Sequence, residues 1–227
     1  PVHLGSMDRS VETVIRHNAG KMRPGDVFML NAPYNGGTHL PDITVVTPVF
    51  AASLSPRKRR EGMQPEILFY VASRGHHEDI GGLTPGSMTP RATTIEEEGV
   101  YIDNFRIVDE GRFLEAETHA LLAGATYPAR MPAKNIADLK AHVAANAKGV
   151  AELEKMVAHF GLDVVKAYMG HVQDNAEESV RRLLTRLSDG QFRVEMDQGT
   201  HVDVKITVDR DNRRATVDFS ATSLPQP

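Results

Sequence analysis

Residues 136–161 read Ile-Ala-Asp-Leu-Lys-Ala-His-Val-Ala-Ala-Asn-Ala-Lys-Gly-Val-Ala-Glu-Leu-Glu-Lys-Met-Val-Ala-His-Phe-Gly, and one apolar stripe runs through them. Ile136, Leu139, Val143, Ala147, Val150, Leu153, Val157 and Phe160 recur every three or four residues, the period of an α-helix with one buried face. Gly161 closes the stripe. Asp163 can cap a second helix, with Val165, Tyr168, Met169, Val172, Ala176, Val180, Leu183 and Leu187 on its inner face. So short a link predicts a helical hairpin over about 135–187. Met156 and Met169 follow the stripe and are expected in the core, whereas His171 falls off it.

Strands flank the hairpin on both sides. After it, Val202, Val204, Ile206 and Val208 alternate with polar residues, the pattern of a half-buried strand. A turn at 209–214 leads into a partner strand over 216–220, so residues 190–227 read as an antiparallel meander. Before it, a short helix over 6–20 precedes three strand runs, a short apolar one at 27–30, one rich in β-branched residues at 43–50 and a third at 67–73. Asp109-Glu110-Gly111 suggests a hairpin turn, and 114–122 a helix. The fold class is α+β, with mixed or antiparallel strands. It is divided into a strand-rich part over 1–133, the hairpin over 134–189 and the meander over 190–227.

Composition narrows the function. Of 227 residues, 41% are hydrophobic and 25% charged, the balance of a globular chain. A net charge of −4 provides no basic field for nucleic acid. The one basic run, at 57–60, reads as a solvated loop tip. The absence of cysteine excludes disulfides, thiolate zinc sites and cysteine nucleophiles, and fits a reducing, cytoplasmic setting. No window reaches the roughly 18 apolar residues of a membrane span. The abrupt beginning and end suggest the interior of a longer chain.

Two loops carry the chemistry. The first, Gly36-Gly-Thr-His-Leu-Pro-Asp42, holds His39 and Asp42; the second, starting at Arg74-Gly-His-His-Glu-Asp79, holds His76, His77 and Asp79. Two histidines and a carboxylate are the minimal facial set for a divalent transition metal, and imidazole with carboxylate suits Mn, Fe or Zn. The alternative is that Asp42 caps a turn and the histidines are hydrogen-bonded loop residues. Gly36, Gly37 and Thr38, with Gly81 and Gly82, could offer backbone N–H groups to an oxyanion or phosphate, or be ordinary turns. Arg74 could clamp a carboxylate or be a surface charge. His3 could join a site completed by further sequence. There is no phosphate loop, no dinucleotide fingerprint and no serine nucleophile elbow.

At these loops the sequence resembles the hydantoinase B family. The resemblance rests on Pro1-Val-His-Leu-Gly-Ser-Met7, on residues 36–50 and 72–88, on Asp138-Leu-Lys-Ala-His-Val-Ala-Ala-Asn146 and on Val217-Asp-Phe-Ser220. The segment 168–177 leans toward its 5-oxoprolinase branch. Ala221 departs from the family's usual glycine, and only Glu195 and Asp197 stand where an acidic cluster is usual. The resemblance implies part of a larger B-type domain, truncated at both ends, in an oligomeric enzyme. Its reaction would be ATP-dependent opening of a cyclic amide, 5-oxo-L-proline or a hydantoin. ATP would be bound by a hydantoinase A-type partner. A divalent metal (Mn, Zn or Fe) would be held by His39, Asp42 and one of His76 or His77. The other histidine, or Asp79, would act as general base, and Arg74 with the glycine-loop amides would hold substrate. Two other roles stay open: a carboxylase subunit of the acetone or acetophenone type, and an assembly module for the ATP-hydrolysing partner.

Overall fold

The computed structural model describes residues 3, 5–51, 66–197 and 199–224, so the basic run at 57–60 lies outside them. The fold is α+β with antiparallel sheets, as the patterning implies. The chain divides into two compact units, Pro1–His159 and Phe160–Pro227. The division falls inside the helical segment 134–189 rather than at either of its ends.

The first unit is built on a five-stranded antiparallel sheet in the order β3-β2-β1-β4-β5. Its strands are β1 (Val27–Leu30), β2 (Asp42–Phe50), β3 (Ile67–His76), β4 (Phe105–Asp109) and β5 (Arg112–Phe113). Around them lie α1 (Met7–His17), α2 (Ile95–Glu98), α3 (Glu115–Ala123) and α4 (Pro132–Phe160). Alternation along the strands creates two faces. Met29, Ile43 and Val45 pack with Ile107, Leu122, Ile136 and Leu139, so α3 and α4 cover one face. Phe28, Leu30, Val46 and Phe50 pack with Val14 and Met22, so α1 covers the other. Covering on both faces explains why β1 and β2 read as nearly continuous apolar runs.

Strand β3 runs three residues further than its apolar run predicts. The ladder continues through Thr44↔Arg74, Ile43↔Gly75 and Asp42↔His76. Arg74 and His76 are therefore strand residues, and the glycine-rich loop begins at His77.

The second unit holds α5 (Leu162–Leu184) and a meander of β6 (Gly190–Glu195), β7 (His201–Asp209) and β8 (Arg214–Asp218). Glu178 on α5 accepts hydrogen bonds of 2.9 and 3.1 Å from Arg213, just before β8. Two burial expectations fail here. On α5 only Val165 is buried, while Tyr168, Met169, Val172, Val180 and Leu183 are exposed, Val172 at 67%. On β7 the buried side chain is Asp203, held by Gln191 and Arg193, while Val202 and Ile206 are exposed. Met156 of α4 is exposed as well. Periodicity reports amphipathicity, not whether another surface covers the apolar side. No helix among the described residues is long and apolar enough to cross a membrane.

Candidate metal centre

The register of β2 and β3 builds the site. Asp42 and His76 are directly opposed, and directly opposed residues of an antiparallel pair share a face. Nδ1 of His76 lies 3.3 Å from Oδ1 of Asp42. The turn before β2 brings in His39: the Asp42 N–H donates to the His39 carbonyl at 2.9 Å, which folds the His39 ring back onto Oδ2 of Asp42. The turn before α1 brings in His3, whose Nε2 lies 3.0 Å from the same oxygen. Three imidazoles from three segments thus converge on one buried carboxylate.

The ligand atoms of His3, His39 and Asp42 all lie within 4.8 Å of one another. The His3 and His39 rings meet edge to face at 4.6 Å, and the His39 and His76 rings at 6.2 Å. Nitrogen and carboxylate donors so placed suit Zn, Fe or Mn. His39 and His76 keep substantial exposure, so one side of the cluster opens to solvent.

His77 goes elsewhere. One residue beyond His76, its ring falls on the α4 side. It is 1% exposed, accepts a hydrogen bond on Nδ1 from Asn135 at 3.0 Å and stacks on His142 at 6.0 Å. Burial, reinforced by His142, lowers its pKa to about 4. That donor from Asn135 leaves the proton on Nε2, which has no hydrogen-bond partner among the described residues. His77 is therefore not placed to ligate with Asp42 or to exchange protons with solvent.

Asp79 is also committed. Its Oδ1 accepts from the N–H groups of Gly81 and Arg130, and its Oδ2 from the Gly86 N–H and the Arg130 guanidinium. Burial pushes its pKa up, but these donors outweigh burial and hold it below the ordinary value. A carboxylate with both oxygens occupied organises the loop and is a poor base. The expected anion-binding amides are used internally too. Gly37 N–H donates to Ala32 O at 2.7 Å, Gly81 N–H to Asp79, and Gly82 N–H to Tyr127 O at 3.1 Å. Gly36 lies at φ 86° with its carbonyl held by Ser10. Thr38 keeps a buried hydroxyl with no hydrogen-bond partner among the described residues. Arg74, expected to clamp a carboxylate, spends its three nitrogens on hydroxyls: Nε on Thr44 at 2.7 Å, Nη1 on Ser6 at 2.6 Å and Nη2 on Ser10 at 2.7 Å.

Sequence reasoning gave His3 little weight and assigned no role to Asn135, His142 or Arg130. A signal for two of them was present. Asn135, Leu139, His142 and Asn146 recur at helical spacing on α4, so polar residues occupy the face that meets the sheet. For His3 and Arg130 no local pattern announces the contact.

The hydantoinase B/oxoprolinase family profile matches residues 1–226. A 5-oxoprolinase of Dictyostelium discoideum is 40% identical over 233 residues, covering 99% of this chain and 17% of the relative. An ATP-dependent caprolactamase from Pseudomonas jessenii has a similar structure, with a TM-score of 0.75 and 27% identity over 96% of this chain and 36% of that one. A nucleotide-free acetone carboxylase shares the fold, with a TM-score of 0.78 at 17% identity over 98% of this chain and 30% of its own. The chain spans well under a fifth of the 5-oxoprolinase it matches. It belongs to the hydantoinase B/oxoprolinase family.

Proposed function

We propose that this chain is the B-type part of an ATP-dependent cyclic amide hydrolase that opens 5-oxo-L-proline, or a hydantoin ring, at the His3–His39–Asp42 cluster. The observation that carries this reading is the convergence of imidazoles from separate segments on Asp42, in a chain 40% identical to a 5-oxoprolinase. A ring amide is a weak electrophile. Transfer of a phosphoryl group from ATP to its oxygen makes the carbon attackable. The engaged glycine amides and the missing phosphate loop fit ATP being bound by an A-type partner. Overall, one water adds across the ring C–N bond, hydroxyl to carbon and proton to nitrogen, and a second accounts for hydrolysis of ATP to ADP and phosphate.

His3, His39 and Asp42 would hold a divalent ion, which supplies Lewis acidity toward a carbonyl or a water. The division of Asp42 assigns the rest. Its Oδ2 faces His3 and His39, while its Oδ1 holds Nδ1 of His76. That orientation leaves Nε2 of the half-exposed His76 ring to carry a proton between the water, the ring nitrogen and solvent. In the full-length enzyme, His39→Ala and Asp42→Ala should each remove bound metal and lower ATP-coupled glutamate formation at least ~100-fold. Unchanged turnover in both would overturn the reading. The carboxylase alternative predicts ATP turnover that depends on bicarbonate; ring opening does not.

A further inference from the structure

Arg74 is a half-buried cation that forms no ion pair among the described residues. Its acceptors are three neutral hydroxyls on two different elements. Thr44 lies opposite Arg74 on β2, two residues beyond Asp42 and on the same face. Ser6 and Ser10 lie at the start of α1, one turn apart. Each serine passes a hydrogen bond onward. Ser6 Oγ donates to the carbonyl of His3 at 2.8 Å. Ser10 Oγ donates to the carbonyl of Gly36, at the root of the loop that carries His39. His76 is two residues along β3 from Arg74 itself.

One guanidinium therefore touches, directly or through one hydroxyl, every segment that supplies a side chain to the cluster. We propose that Arg74 is a positioning residue that assembles the His3 turn, the Gly36–His39 loop and the Asp42–His76 strand pair into one ligand set, and thereby sets its affinity for a divalent ion. The inference rests on reading the cluster as a metal site. Arginine is needed because its planar fork reaches three acceptors in fixed directions, whereas a lysine ammonium cannot span them. Residues that orient metal ligands without touching the metal commonly alter affinity by about 10–100-fold when replaced.

The test is Co²⁺ and Zn²⁺ titration of full-length protein stripped with chelator, following affinity and the Co²⁺ absorption spectrum. Arg74→Lys, Ser6→Ala and Ser10→Ala should weaken binding, Arg74→Lys by about 10–100-fold with an altered spectrum. Leu153→Ala, buried on α4 two turns beyond Asn146 and outside the core cluster that holds Leu40 and Ile43, controls for destabilisation alone and should lower the melting temperature of the stripped protein while keeping affinity and spectrum. In a His3→Ala background, Ser6→Ala should have little further effect, because its hydrogen bond acts through His3. Wild-type affinity and spectrum in Arg74→Lys and both serine variants would overturn the positioning role while leaving the metal site standing. Should Arg74→Lys fail to fold, the serine variants decide. A wild-type protein that binds neither ion would overturn both readings together.

Discussion

His76 and His77 are adjacent, yet one alternation step of a strand gives them opposite surroundings. His76 shares its face with Asp42 and stays half exposed, whereas His77 is buried against Asn135 and His142. The burial has a consequence in pH. A histidine whose pKa falls from 6.5 to about 4 on folding is more readily protonated in the unfolded chain. Its contribution is fully present above the unfolded value and is lost as pH falls through this window. Between pH 7.5 and 5 the loss is about 2 kcal/mol. Denaturant unfolding in the presence of chelator should therefore show a pH slope that His77→Gln reduces, whatever that substitution costs at neutral pH, the remainder including the burial-lowered His142. An equal slope in the variant would mean that His77 is not held neutral. A group so enclosed serves the framework beneath the site, whereas the His76 ring stays half exposed beside Asp42.

At the scale of elements, the β3–α4 contact fixes where His77 can lie. Gly75 has no side chain, and a Cβ built there would come 2.5 Å from Nε2 of His142. That ring cannot simply swing away, because Ser73 holds its Nδ1 at 3.0 Å and His77 stacks on it. Gly75→Ala should cost about 1–3 kcal/mol by overpacking. Adding His142→Ala should recover part of that loss, measured by chemical denaturation as a coupling between the two sites. Much of this arrangement was legible beforehand. The apolar runs located β1, β2 and the start of β3, and the stripe over 136–160 located α4. The extension of β3 to His76 was hidden, because Arg74, Gly75 and His76 have no strand signature; cross-strand pairing to Thr44, Ile43 and Asp42 holds them in place. Asp42 and His39 were visible as a motif. The contribution of His3 depends on a contact between residues 39 apart in sequence, which no local pattern encodes. The stripe on α5 was legible as a pattern but not as a buried face.

At the scale of the molecule, the candidate cluster and the exposed apolar stripe of α5 fall in different units. Every side chain of the cluster lies in the unit Pro1–His159, whereas the unit Phe160–Pro227 presents Tyr168, Val172, Val180, Phe192 and Val217 to its surroundings. In the two glycine loops beside the cluster, the amides of Gly37, Gly81 and Gly82 are already bonded within the protein. If the enzyme divides its labour as proposed, activating the amide and opening it depend on different residues. Breaking the cluster should then leave nucleotide binding intact. In the full-length enzyme, Asp42→Ala should keep the affinity for ATP within about twofold by calorimetry, well under 1 kcal/mol, while ring opening is lost. The reasoning is geometric. Asp42 is enclosed by His3, His39 and His76 and has no free edge to offer a phosphate, and a carboxylate would repel one. A loss of ATP affinity together with ring opening would place the triphosphate against this cluster and assign both half-reactions to one site.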